Sequence, residues 1–339
     1  MIRLKDIAES AGVSVMTVSK ALRDEPDISK TTKARIKGIA DQVGYFPNNS
    51  ARGLRTNKTK QFGLIISSLS NPVYTRTFMA IEERAHAMGY EIFVAQTLNN
   101  PEREEACIRR LLARQVDGLF IRPVYRPDPV AAIYDKLREF KTPTVILGHR
   151  ALFCSDFPNV ETDDITASQI ATEHLLDLGH CKIACLTGPT FAPWAQERYE
   201  GYSRALRERH IDADERLIFQ AGSTIEEGAV AALQMIDENP GATAVIAAND
   251  LVAIGAASTF LDQGMIIPDN ISVVGFGNTL TAEHFRVPLT TISQPKYRRG
   301  IAAMESMEKL LSGGHASFKR LPAELVIRKS TCAPLINSR

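Results

Sequence analysis

The sequence predicts two parts: a small all-α head of helix-turn-helix layout, then an α/β body of two subdomains with parallel sheets. Three observations carry this reading. Residues 1–60 hold 12 Lys and Arg against 6 Asp and Glu, a net +6, while the rest of the 339-residue chain sums to −5 and the whole to only +1. Apolar residues in the first 45 positions recur at helical spacing. From Gln61 onward, short apolar runs alternate with amphipathic segments, the pattern of repeated βα units. At about 150 residues per domain, the length suits a head and two body subdomains.

In the head, Leu4 to Ala11 reads as a helix with Leu4, Ile7, Ala8 and Ala11 on one face. Gly12 can take the positive φ that ends it, and Ser14 can cap the next helix, Val15 to Leu22. Ser29 caps a third helix whose buried face is Ile36, Ile39, Ala40 and Val43. A recognition helix puts its first residues at base edges in the major groove. Val15 and Met16 suit thymine methyls, and Lys20 can donate to guanine. Thr17 and Ser19 can bond phosphates. The basic charge of the head points to a negatively charged partner, and the helix-turn-helix layout to double-stranded DNA. A three-helix protein-interaction module is the alternative that the helices alone leave open.

In the body, Phe62–Ile66, Tyr90–Ala95, Gly118–Ile121 and Thr144–Leu147 read as buried strands, with helices over about 72–88, 101–115 and 128–140. A second series has strands at Ile183–Thr187, Leu217–Gln220, Ala244–Ala247 and Ile271–Gly275. Its helices cover about 165–178, 195–210, 225–239 and 252–263. Ligands bind such sheets at the carboxyl ends of their strands.

Several classes are excluded or disfavoured. The composition, 44% hydrophobic and 23% charged, is that of a globular chain. No run approaches the roughly 18 apolar residues of a membrane span, and Lys5, Asp6 and Glu9 interrupt any signal-peptide core. Cys107, Cys154, Cys181, Cys185 and Cys332 are irregularly spaced, which argues against a disulfide framework and for a reducing, cytoplasmic compartment. Cys181 and Cys185 read as ordinary buried cysteines, and His174 and His180 as structural histidines. The sequence shows none of the nucleotide-binding, nucleophile-elbow or zinc-protease motifs sought, so no catalytic residue, metal or cofactor is expected.

The motifs Lys5-Asp6-Ile7-Ala8, Ala11-Gly12-Val13-Ser14, Thr17-Val18-Ser19, Gly44-Tyr45, Pro47-Asn48 and Ala51-Arg52 together resemble the lac repressor/galactose repressor family of bacterial transcription regulators. The resemblance extends to about residue 330. It implies a head at 1–47, a hinge helix and linker at 48–60, and a periplasmic-binding-protein-like ligand-binding and dimerisation domain at 61–339. Subdomain 1 would comprise about 61–160 and 290–320, and subdomain 2 about 161–289 and 321–339. In the family, paired hinge helices insert leucines into the minor groove. The matching leucine is Leu54, and Asn48, Ala51, Arg52 and Arg55 would add DNA contacts. The residues agree: a helix of about eight residues containing Gly53 is marginal in water and should order only when docked. Lys58 and Lys60 would add phosphate contacts.

The resemblance also implies ligand contacts from the loop Asn71, Val73 and Tyr74, from Trp194 and Arg198, and from Asn249, with Asp250 free to cap the next helix. The chain departs from the family at two acidic positions. Gly277, beside Asn278, stands where an aspartate usually binds ligand hydroxyls, and Gly148 where several relatives carry another acid. Arg122, His149, Arg150 and Arg198 fall near strand ends instead, so the expected effector is carbohydrate-like and anionic, a sugar acid or sugar phosphate. The partners expected are operator DNA, this effector and a second copy of the chain, with no membrane. A dimer is expected through both body subdomains, and the sequence ends without a leucine heptad tail, which argues against the four-chain assembly of some relatives. A solute-binding protein and a sugar-metabolising enzyme share the body fold and stand as the alternatives.

Overall fold

The computed structural model describes residues 2–45 and 58–335. It divides into two compact units, 1–59 and 60–339. In the first, α1 (Leu4–Ala11), α2 (Val15–Leu22) and α3 (Lys30–Gln42) enclose a core of Ile7, Ala8, Ala11, Val18, Ala21, Ile36 and Ala40. Gly12 closes α1 at φ 61°, and Ser14 Oγ accepts from Thr17 N at 3.1 Å to start α2. Val43, expected on the buried face, lies past the end of α3 and is exposed.

The second unit carries two six-stranded sheets. The first contains β1 (Gln61–Ile66), β2 (Glu91–Gln96), β3 (Gly118–Ile121), β4 (Thr144–Leu147), β5 (Asn159–Thr162) and β11 (Lys319–Leu321), in the order β11-β5-β4-β3-β1-β2, every pair parallel. The second contains β6 (Ile183–Thr187), β7 (Ile218–Gln220), β8 (Ala244–Ala247), β9 (Ser272–Phe276), β10 (Thr290–Ser293) and β12 (Glu324–Val326), in the order β12-β10-β9-β8-β6-β7. Only β12 runs antiparallel to its neighbour.

Helices cover both faces of each sheet. In subdomain 1, α4 (Thr75–Ala87) and α12 (Lys296–Leu311) bury Ile81, Ala85, Ala303 and Met307 against Phe62, Leu64 and Phe120. On the opposite face α5 (Pro101–Ala113) and α6 (Ala132–Glu139) bury Ile108, Leu111 and Tyr134 against Ile65 and Ile121. Alternation along β1 decides which residue meets which layer. Subdomain 2 repeats the plan, with α7 (Asp164–Asp177) and α8 (Pro193–Glu208) on one face, and α9 (Ile225–Glu238) and α10 (Asp250–Asp262) on the other. A one-turn α11 (Leu280–Glu283) follows β9.

The chain crosses between the sheets after Thr162, Ser293 and Leu321. The second crossing differs from the expectation near Leu289. Thr290–Ser293 is a strand of the second sheet, paired in parallel with Val274–Phe276, and only Lys296 onward packs on subdomain 1. The first crossing is also later, because Glu161 and Thr162 still belong to β5. The linkers touch: Asp163 N donates to Leu321 O at 2.9 Å, and Gln294 Nε2 to Thr162 Oγ1 at 3.4 Å.

Candidate functional site

A cleft of about 310 Å³ opens between the two subdomains at the carboxyl ends of their strands. Subdomain 1 contributes Asn71, Val73 and Tyr74 from the loop after β1, Arg122 and Tyr125 after β3, and His149 after β4. Subdomain 2 contributes Asp164, Trp194, Arg198, Asn249 and Phe276. Gln294 and Arg299 enter from the second crossing and the start of α12.

Local folding rules place these groups. Asn71 Oδ1 accepts from Val73 N at 3.1 Å, capping a short 3-10 turn that presents Tyr74. The Tyr74 hydroxyl accepts from Ser67 Oγ at 3.0 Å. Burial would raise that phenol, but Arg122, Ser67 and Arg299 outweigh it and hold it below its usual value. Trp194 lies in the first turn of α8, one turn before Arg198. The Arg198 guanidinium rests over Trp194 at 4.8 Å and over Phe276 at 3.6 Å. Its Nη2 meets Asp164 Oδ2 at 2.9 Å, and its Nη1 donates to Ala248 O. Burial pulls the Arg198 guanidinium below its ordinary value, and Asp164 opposes the pull. Asp164 Oδ1 is buried without a partner.

Arg122 donates to the Tyr125 hydroxyl and lies over that ring at 4.8 Å, while the same hydroxyl donates to His149 O at 2.8 Å. Gly148 sits between them with φ 106°, and a Cβ there would collide with the Arg122 guanidinium. Gly277 is similar: a Cβ would fall 3.1 Å from Asp250 Oδ2. Asp250 is itself saturated by Thr279 N at 2.7 Å, Thr279 Oγ1 at 2.9 Å and Thr291 Oγ1 at 2.5 Å. Beside it, Lys296 donates to the carbonyls of Gly277 and Asn278, and burial lowers its amine to about 8.

One further network spans the subdomains. His149 Nε2 and Glu197 Oε2 are 3.0 Å apart, and Arg320 Nη2 reaches Glu197 Oε1 and Glu161 Oε1, each at 2.6 Å. His149, Glu161 and Glu197 bring ligand atoms within 4.8 Å of one another, but Arg320 already supplies positive charge to both carboxylates.

Comparison with known proteins places this geometry. Residues 59–329 match the sequence model described as periplasmic binding proteins and sugar binding domain of LacI family, and residues 3–48 match bacterial regulatory proteins, lacI family. The chain belongs to the lacI family. Among its family relatives, the transcriptional regulator DegA of Bacillus subtilis is 32% identical, with 96% of this chain and 97% of that one covered. The repressor PurR of Photobacterium profundum is 33% identical over 97% and 98%. Among solved structures, a lac repressor dimer bound to operator and the anti-inducer ONPF matches with TM-score 0.86 and 28% identity, covering 98% of this chain and 99% of that one. A CelR–cellobiose complex matches with TM-score 0.73 and 25% identity over 97% and 100%.

Within this lacI-family frame, the structure brings Asn71, Val73, Tyr74, Arg122, His149, Trp194, Arg198 and Asn249 to one cleft. Asn278 is a correction, because it does not line the cleft. Its amide is consumed by Ser293 Oγ and Arg328 Nη2, at 3.0 and 2.7 Å. Arg150 is likewise outside, donating to Ser155 O. Asn249, not Asp250, caps α10, accepting from Val252 N at 2.9 Å. Asp164, Tyr125, Gln294 and Arg299 were missed. Asp164 reads in sequence as one more helix-start acid, and Arg299 as one of a basic pair on a surface helix. His174 bonds Thr331, and His180 bonds Thr243 and the Cys332 carbonyl. Cys185 is buried as expected, whereas Cys181 is exposed just before β6.

In the head, Val15 and Met16 are 44% and 69% exposed at the start of α2, with Thr17, Ser19 and Lys20 half-buried behind them. Lys20 forms an ion pair with Asp27. Asn48, Ala51, Arg52, Leu54 and Arg55 lie outside the described residues. Lys60, expected to reach phosphate, lies over the Tyr90 ring at 4.2 Å. No helix among the described residues is long and apolar enough to cross a membrane.

Proposed function

We propose that this chain is a ligand-responsive transcription repressor. It binds a near-palindromic operator as a homodimer, and a carbohydrate-like small molecule in the cleft controls its affinity. The observation that carries this is the joining, in one chain, of a helix-turn-helix head and a two-subdomain sensor with a polar, aromatic-lined cleft. Repressors such as CytR of Escherichia coli match it across 97% of its length. Exposed Val15 and Met16 would meet base edges in the major groove, and Lys20 would exchange Asp27 for a base. Asn48, Ala51, Arg52 and Arg55 would flank the Leu54 wedge in the minor groove.

The charged groups of the cleft suit binding rather than turnover. Asp164 is tied to Arg198, Asp250 to two threonines, and Glu227 to the cap of α9. We therefore place the chain among regulators, not enzymes, and in the cytoplasm with its operator. A ligand touching both subdomains biases the relative population of open and closed bodies, and so the DNA-binding state.

Gel-shift titration against duplexes selected from a random pool tests the reading. We expect sequence-selective binding that weakens steeply with salt. Salt-insensitive or unselective binding would overturn it. Leu54→Ala should weaken operator binding by about tenfold or more, since an apolar wedge pays for the unstacked base step. The variant should bind effector as the parent does. Unchanged operator affinity would remove the wedge role.

A further inference from the structure

We propose that the cleft is built for a phosphorylated sugar, its phosphate held between Arg122 and Arg299 and its hydroxyls by Asp164, Arg198 and Asn249. This deepens the effector-sensing reading above and rests on it.

Arg299 is the unusual residue. It stands in the first turn of α12, a helix that closes tightly on α4 because Gly300 has no side chain. A Cβ there would lie 2.5 Å from Thr77 O. The close approach carries Arg299 inward to 8% exposure, facing the cleft. Its Nη2 donates to Thr77 Oγ1 at 3.1 Å, and its Nε is buried without a partner. Burial and repulsion from Arg122 hold its guanidinium down to about 10. Among the described residues no carboxylate lies within ion-pair distance of either Arg122 or Arg299. Arg122 has only the Tyr125 and Tyr74 hydroxyls. Asp164 reaches both guanidiniums electrostatically, but it is already paired with Arg198, and Arg299, with its Nε unpartnered, keeps room for an anion.

The second half of the argument is Asp164. One of its oxygens is spent on Arg198, and the other is buried and unpartnered. It therefore needs a donor, as Arg299 Nε needs an acceptor. One molecule with an anionic end and hydroxyls satisfies both. Between anions, the two guanidiniums offer more donors than the two oxygens of a carboxylate can accept. The three terminal oxygens and second charge of a phosphate monoester match them better. Trp194, Phe276 and Tyr74 supply apolar faces for the sugar ring. Arg122 and Arg299 belong to subdomain 1, and Asp164, Arg198 and Asn249 to subdomain 2. The ligand would thus bridge the two and favour closure.

The test uses the full chain in a phosphate-free buffer at fixed ionic strength. Thermal unfolding is followed while inorganic phosphate or acetate is titrated, with operator binding measured in parallel. Phosphate should raise the midpoint by several degrees, and acetate should do less. Arg299→Met should unfold cooperatively, with a ligand-free midpoint at or above the parent's, and bind phosphate at least about tenfold more weakly. Arg122→Met should show the same loss and serves if the first variant does not fold. The subsite is overturned if phosphate leaves the parent unmoved, if acetate equals it, or if the folded variants respond like the parent. Selective operator binding by a parent indifferent to phosphate would remove the subsite alone. Failure of that operator binding would remove the regulator reading instead.

Discussion

Arg122 can lie where it does because residue 148 has no side chain. The sequence showed the missing acid at Gly148, but the reason is steric: a side chain there would occupy the guanidinium's place. At Gly277 a carboxylate would instead crowd Asp250, which is already fully hydrogen-bonded. Of the acids that line the cleft, Asp164 is about 1% exposed and is the one paired with Arg198. Asp164→Asn should leave Arg198 as a buried charge with only the Ala248 carbonyl and two ring faces. Losing one partner of such a pair costs about 3 kcal/mol. Urea denaturation should show a lower midpoint at unchanged slope, and an unshifted midpoint would mean that the pair contributes little.

Element packing is where small residues matter most. Helices α7 and α8, α9 and α10, and α4 and α12 approach closely at Gly201, at Gly228 with Gly255, and at Gly300 respectively. Each added Cβ would meet backbone of the opposite helix, which cannot rotate away as a side chain can. Gly300→Ala should therefore cost about 1–3 kcal/mol, as overpacked sites do. It should also push Arg299 off its contact with Thr77. Equilibrium unfolding checks the first effect, and a reduced phosphate response the second. Alanine is the better helix former by about 1 kcal/mol, so a stabilised variant would show that α12 shifts without strain.

Across the whole molecule, Glu197 ties the subdomains together by accepting from His149 and Arg320. Burial would raise its carboxyl, but His149 and Arg320 prevail and hold it below the usual 4.5. The native state therefore keeps Glu197 ionised at acidities where the unfolded chain has begun to take up its proton. Its stabilisation is complete above about pH 4.5 and fades as pH falls through the lower, folded value. Glu197→Gln should be less stable than the parent by about 2 kcal/mol at neutral pH. That gap should narrow on acidification below pH 4.5. A gap constant with pH would assign the effect to packing. Breaking the same contact should loosen closure, visible as a larger radius of gyration in solution scattering.

Much of this was legible from local pattern. Head helices α1 and α2 have the expected ends, because Gly12 and Ser14 act within a few residues. The βα series of the body was readable because buried parallel strands are apolar throughout. Strand ends pointed to Arg122, and the family resemblance to Tyr74, Arg198 and Asn249, and the fold brings all four to one cleft. What the sequence could not show was contact between distant segments. Asn278 follows a strand end, yet Ser293 and Arg328, 15 and 50 residues later, turn its amide away from the cleft. Thr290–Ser293 looks like a return to the first sheet until its pairing with β9 is seen. Arg299 reads as a surface residue until Gly300 draws α12 onto α4. The sequence by itself determined the layers, the strand series and the charge division between head and body, since these depend on periodicity and composition. Only the tertiary structure decided which charges in the cleft are neutralised and which remain open, because neutralisation depends on distances between residues that the chain brings together only when folded.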